Sequence, residues 1–251
     1  MATFFFSSAI IMTDFLRKVI FFVSDKAKTI WKRVIVAIIL VISLIMIFNQ
    51  PIKRWLVSTW HPQVSQSEMA KNDKKKGTYD YKGVKELTLA NIAAARAHNN
   101  LQVIGVISAP EIGMNLPISK GITNSNLALS AGTFRPNMKM GQGNYALAGH
   151  NMSNLGPNVL FSPLYYKAKP GQYIYVTNLK KVYQYQITQR KFISKYDVGV
   201  VNDTPQPIIT LVTCDATGAN RLMIRGNLVK TMNYKNAPHS VQQAISSKYN
   251  Q

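Results

Sequence analysis

Eight residues, Pro207-Ile208-Ile209-Thr210-Leu211-Val212-Thr213-Cys214, most restrict what this chain can fold into. The run is apolar and β-branched with no helical period, so it reads as a buried strand. It ends on the only cysteine of the protein. The turn-forming residues Asp215, Thr217, Gly218 and Asn220 follow, and a second apolar run opens with Arg221-Leu222-Met223-Ile224-Arg225-Gly226. A hairpin that folds this run back beside the first sets a guanidinium next to a thiol at a strand end.

Cys214 admits two readings. A lone cysteine is usually a small buried hydrophobe. This one stands at the last position of its strand, where side chains reach the surface, in a chain that reads as exported. An odd cysteine in that setting suggests a reactive thiol. Of the four histidines, His61 lies in a polar stretch, His98 at a helix end and His239 in a polar tail. Each of those reads as solvated. His150 closes the run Asn144-Tyr145-Ala146-Leu147-Ala148-Gly149 as Cys214 closes its own. Paired with the only cysteine, it becomes the candidate base. There is no His-x₃-His, no cysteine pair and no carboxylate cluster, so no metal site is expected.

The runs around these residues favour strands: Val103 to Ser108, Met114 to Ile118, Tyr145 to Gly149, Tyr173 to Thr177, Val182 to Thr188, Ile208 to Thr213 and Arg221 to Val229. Asn178-Leu179-Lys180-Lys181 reads as a hairpin turn, and Tyr183, Tyr185 and Ile187 alternate with polar residues as one buried face. Leu87 to Ala97 carries helical spacing. Short strands with mostly tight connections imply an all-β fold closed into a barrel, with one or two short helices.

Lysine and arginine number 30 against 10 acidic residues, a net charge of +20. Such an excess suggests a polyanionic neighbour: nucleic acid, an anionic membrane surface or a phosphate-rich wall. The choice falls to the membrane segment. Val34 to Phe48 is apolar but for Ser43. Flanking Trp31, Ile52 and Trp55, with Lys32, Arg33, Lys53 and Arg54 able to snorkel, extend it to the length of a span. Lys26, Lys28, Lys32 and Arg33 favour a cytoplasmic N-terminus. No small-residue cleavage site follows, so the segment reads as an uncleaved signal anchor, with no nucleic-acid partner. Met1 to Ser24 is either a membrane-surface helix or, with Met12 as initiator, partly untranslated. His61 to Lys76 is polar and reads as a flexible stalk. The expected organisation is a cytoplasmic segment (1–33), a spanning helix (34–52), a basic stalk (53–78), a barrel domain (79–235) and a polar tail (236–251).

T-L-V-T-C followed by R-L-M-I-R-G, with A-G-H upstream, resembles the active-site strands of sortases, most closely class A. The resemblance spans roughly Tyr79 to Val229. It implies an eight-stranded barrel and a membrane-anchored cysteine transpeptidase of Gram-positive bacteria. It further implies Cys214 as nucleophile, His150 as general acid and base, and Arg221 as transition-state stabiliser. The implied substrate is an L-P-x-T-G sorting signal on surface proteins, cut between threonine and glycine and passed to an amine of a cell-wall precursor. By motif position Ala148, Thr210, Val212 and Thr213 would line the groove for Leu-Pro. Val198, Val200 and Val201, on a loop over that groove, would either line it or plug the barrel end. No cofactor is implied. One branch of the family uses calcium held by several carboxylates; that cluster is missing here, so no calcium dependence is expected.

Two other readings stay open. One is a papain-like cysteine protease, although there the cysteine opens a helix early in the chain. The other is a cationic, membrane-anchored wall-binding protein with no chemistry at Cys214. Arg225 shares a strand face with Arg221 and rivals it. Arg221 stands nearer the cysteine, so Arg221→Ala is expected to abolish turnover of a sorting-signal peptide while Arg225→Ala retains most of it. Steady-state kinetics of the two variants check this.

Overall fold

Apolar alternation dictates where each strand puts its inner face. In the computed structural model, residues 25–62, 65–80, 83–84, 87–98 and 101–250 are described. The readings made for Met1 to Ser24 lie outside them. The chain divides into two units, Met1–Asn49 and Gln50–Gln251.

Within the first unit, α1 (Asp25–Ile47) is one continuous helix. Its stretch Thr29–Ile47, 19 residues, is long and apolar enough to cross a membrane. At 1.5 Å per residue it reaches about 28 Å, close to the hydrocarbon thickness of a bilayer. The hydroxyl of Ser43, inside the apolar run from Val34, is satisfied internally, with Ser43 Oγ donating to Ile39 O at 2.8 Å. The apolar stretch extends upstream of the expected span, because Ile52 and Trp55 belong to a separate helix, α2 (Asn49–Ser58).

The second unit is built on eight strands: β1 (Val103–Ala109), β2 (Met114–Ser119), β3 (Ala131–Thr133), β4 (Asn144–Ala148), β5 (Tyr173–Thr177), β6 (Lys181–Ser194), β7 (Ile208–Cys214) and β8 (Asn220–Asn233). They close in the order β1-β2-β3-β4-β7-β8-β6-β5. Only β2–β3 and β4–β7 pair in parallel. The barrel is filled from Tyr145 and Leu147 on β4, Ile209 and Leu211 on β7, and Leu222 and Ile224 on β8, with Ile107, Leu116, Ile118, Val176 and Tyr185. By strand alternation Ala146, Ala148, Thr210, Val212, Cys214, Arg221, Met223 and Arg225 therefore face outward.

β3 has three residues, all small, and is absent from the sequence-based expectation. Pro117 of β2 lies just outside its pairing with β3, which covers Ile118 and Ser119, so no ladder bond is lost there. β6 departs from simple alternation. Its register shifts between Gln184 and Tyr185, so Val182, Tyr185 and Ile187 are buried while Tyr183 is only half-buried.

Short helices cover the outside. The expected helix appears as α4 (Leu89–His98). α5 (Asn124–Leu129) is capped by Thr123 Oγ1, which accepts from Asn126 N at 3.0 Å. α6 (Ser162–Lys167) follows the strand of His150. Two segments correct the reading. The supposed flexible stalk contains α3 (Gln66–Asp73), opened by a capping box in which Ser65 Oγ accepts from Glu68 N and Glu68 Oε2 accepts from Ser65 N. Met69 is buried against the core, Asn72 Nδ2 donates to Val103 O at 3.0 Å, and Lys120 pairs with Asp73. The polar tail contains α7 (His239–Ser246), whose Val241 and Ile245 are buried, one helical turn apart. His61 is likewise not solvated. Its ring nitrogens are covered, its ring centroid lies 6.2 Å from that of Tyr249, and burial lowers its pKa. His239 is exposed, and the side chain of His98 lies outside the described residues.

Met69 distinguishes a packed α3 from a loose stalk. Met69→Ala should cost about 2–4 kcal/mol of stability, whereas Lys71→Ala on the exposed side should stay within about 0.5 kcal/mol. Urea unfolding of both variants measures the difference.

Candidate active site

Three neighbouring strands bring the singled-out residues together. β4 and β7 run parallel in the register Asn144↔Ile208 to Ala148↔Val212. Two bonds continue that alignment past the strand ends: Gly149 N donates to Val212 O at 3.2 Å, and Asn151 Nδ2 donates to Cys214 O at 3.1 Å. They bracket His150 and set it beside Cys214. On the other side Cys214 pairs directly with Arg221 of β8. Adjacent strands lie about 4.8 Å apart, so His150, remote in sequence, comes to the same barrel edge as the hairpin pair Cys214 and Arg221.

His150 is held from behind. A Cβ on Gly149 would come within 2.6 Å of the Phe161 ring, so only glycine lets that ring close over the strand end. Phe161 N donates to His150 O at 3.0 Å. The residue as a whole keeps some exposed surface, yet its Nε2 is sealed from solvent with no partner among the described residues. Nothing here compensates an imidazolium, and burial pushes the pKa of His150 down to about 4. His150 is therefore neutral at pH 7.

Cys214 is half-buried at the mouth of the β7–β8 turn. Asp215 organises that turn: its Oδ1 accepts from Thr217 N and Oγ1, and its Oδ2 accepts from Asn220 N. Burial opposes the charge, but these donors together hold the carboxyl below its usual range. Arg221 Nη1 donates to Gly218 O at 2.9 Å and Asn220 O at 3.0 Å, so the guanidinium is steadied against the turn. An arginine fork has five donors, and these two bonds do not exhaust it.

The outer face behind the cysteine is largely covered, with Ala148, Thr210 and Val212 all buried. Ala148 packs with Ile122 and Leu127, and Thr210 and Val212 lie in the row that ends at Cys214. Thr213 is not in this row. It pairs with the inward-facing Leu222 and is itself buried, so its side chain points to the barrel. Val198, Val200 and Val201 sit on a 3-10 turn, Val198–Val201. Asn144, Arg225 and Arg135 tie that turn down. Val200 O accepts from Asn144 Nδ2 and Arg225 Nη2, both at 3.0 Å, and Arg135 Nε donates to Val201 O at 2.7 Å. Arg135 also meets Asp203 at 3.2 Å. The carboxyl of Asp203 is held below its usual range, first by backbone N–H groups of Asn144 and Thr204 and then by Arg135. These residues are far apart in sequence, and no local pattern marks them. Among the described residues no three His, Cys, Asp or Glu side chains converge as metal ligands would.

Residues 107–229 match the model of the sortase domain. Sortase A of Streptococcus agalactiae is 39% identical over 228 residues, covering 86% of this chain and 92% of that protein. This chain belongs to the sortase family. Sortase A of Listeria monocytogenes is 36% identical over 208 residues, covering 80% of this chain and 92% of that protein. The solved structure of Listeria monocytogenes sortase A overlays with a TM-score of 0.54, covering 58% of this sortase and 99% of that chain. Sortase C-3 of Streptococcus pneumoniae also gives 0.54, at 16% identity, and shows the shared fold alone. The protein is accordingly a cysteine transpeptidase on a closed eight-stranded barrel.

The buried histidine fixes the acid side of the pH profile. A depressed pKa keeps His150 neutral as pH falls, until about 4. If His150 titrates as the base, the acid limb of kcat/KM for the free enzyme lies well below pH 6. An acid limb at the ordinary histidine value of about 6.5 contradicts the burial of His150.

Proposed function

We propose that this sortase cuts L-P-x-T-G sorting signals between threonine and glycine and joins the surface protein to an amine of a cell-wall precursor. Cys214 Sγ attacks the threonine carbonyl as its proton passes to His150. The C–N bond breaks, His150 returns the proton to the departing glycine amine, and a thioacyl bond to Cys214 remains. The acceptor amine then attacks, loses a proton to His150, and frees the thiolate, which is reprotonated. The observation that supports these roles is the shared outer edge of β4, β7 and β8, with Cys214 between His150 and Arg221.

The electrostatics assign the timing. Burial holds the pKa of His150 down to about 4 and so disfavours an imidazolium in the resting site. The resting pair is thiol and neutral imidazole, so His150 acts as a general base during attack. Arg221 carries a charge that no working pH removes. We assign it to the developing oxyanion, where oriented donors contribute most. Ala148, Thr210 and Val212 form the apolar floor for Leu-Pro, with Val198, Val200 and Val201 above it. Thr213 is left out of the floor.

We further infer that α1 anchors the enzyme as a single span, with the N-terminus in the cytoplasm and the barrel outside. The basic residues Lys32 and Arg33 near its start support that orientation. The partners are then sorting-signal proteins, a lipid-linked wall-precursor amine and the membrane.

The test uses residues 50–251 with a fluorescent L-P-x-T-G peptide and a short amine acceptor, with products separated by chromatography. The expected result is an acceptor-dependent ligation product, absent from Cys214→Ala. Hydrolysis with no ligation at any acceptor concentration favours a protease.

A further inference from the structure

The reaction described above uses nothing from the C-terminal tail, yet the tail ends in a dense set of bonds at the back of His150. Asn250 lies just beyond α7 and touches two separate parts of the barrel. Toward β2, its N donates to Asn115 O at 2.9 Å and its Oδ1 accepts from Asn115 N at 2.6 Å. Toward the segment that follows His150, its Nδ2 donates to Asn158 O and Leu160 O, both at 2.9 Å, and its carbonyl accepts from Leu160 N at 2.8 Å. Asn115 reinforces the clasp by donating through Nδ2 to Ser247 O at 2.8 Å.

Leu160 needs such a clasp. Its φ is +50°, in the left-handed region that a branched, non-glycine residue rarely occupies. Residues so held persist only where their surroundings over-determine them, and they cluster at functional sites. Leu160 is fully buried and bridges back to Asn151, the residue after His150. Its neighbour Phe161 donates to His150 O and lays its ring on Gly149. Asn151 in turn donates to the carbonyl of Cys214. The path from Asn250 through Leu160 to both members of the reacting pair is continuous, made of hydrogen bonds and one step along the backbone.

We propose that Asn250 is a positioning residue for catalysis: by clasping Leu160 in its left-handed conformation, it holds Phe161 and Asn151 where they set His150 beside Cys214. Asn250 touches neither substrate nor reacting atoms. Its effect runs through the placement of the imidazole and the seal over it. The tail thus completes the active site, although its composition is polar and it lies beyond the last barrel strand. The proposal rests on the assignment of His150 as the base only for its kinetic consequence. The structural part stands separately.

The test is Asn250→Ala in the full chain, with two readouts. The first is titration of the His150 ring by NMR. The wild-type ring should stay neutral to about pH 4, and the variant should titrate at least one unit higher as water reaches the ring. The second is kinetics: kcat should fall roughly ten- to a hundredfold, as misplacement of a reacting group costs, with KM changed less than about threefold. Asn250→Asp keeps the acceptor for Asn115 N, removes the Nδ2 donors and sets a carboxylate oxygen against the carbonyls of Asn158 and Leu160. It should move both readouts in the same direction, and it replaces the alanine variant if that fails to fold. An unchanged His150 titration in a folded variant overturns the proposal, as does an unchanged kcat alongside an active wild type. If wild-type enzyme leaves the L-P-x-T-G peptide intact, the substrate assignment fails, while the titration still decides the clasp.

Discussion

The parallel pairing of β4 with β7 is the constraint on which the rest depends. Parallel neighbours cannot be joined by a tight turn and need a long crossover. Here the crossover carries α6, β5, β6 and the 3-10 turn before the chain returns beside β4. The strand ends of His150 and Cys214 then point the same way and finish at the same level, as the bonds from Gly149 to Val212 and from Asn151 to Cys214 record. An antiparallel pairing would send the two ends to opposite sides of the barrel. β8 adds Arg221 by the simpler device of a hairpin.

The crossover that this pairing requires also supplies the cover of the outer face behind Cys214. The turn Val198–Val201 is tied over the outer face by Asn144, Arg225 and Arg135, each drawn from a different part of the chain. At the far end of that face the same logic of covering buries His150, with Phe161 against Gly149 on one side and the tail behind. Burial depresses the pKa of the imidazole and leaves the ring neutral, able to accept a proton, at neutral pH. A fully solvated histidine would spend part of its time charged and unable to accept a proton.

Much of this could be read from the residues, and the exceptions have physical causes. Ile208 to Cys214, Tyr173 to Thr177 and the helix near Leu89 follow apolar patterns that survive in the structure. The order of His150, Cys214 and Arg221 follows from strand-end position. β3 was invisible because three small residues carry no periodic signal. α3 was misread because its composition is polar, although Ser65 and Glu68 spell a capping box and Met69 marks its buried side. α7 hid in the same way, with Val241 and Ile245 as its only apolar clue. The resemblance sets Thr213 among the groove residues, whereas alternation with Val212 and Cys214 turns it inward. The ties of Arg135, Asn144 and Asn250 join residues too distant for any sequence pattern.

On the proposed mechanism Cys214 Sγ holds the acyl group, beside the neutral imidazole of His150. Intact mass spectrometry of enzyme quenched in acid during turnover of an L-P-x-T-G peptide, without acceptor, addresses it directly. The account predicts a covalent increment equal to the peptide through its threonine, mapped to Cys214 and lost on adding an amine. Peptide cleavage with no adduct on Cys214 at any time point would contradict it.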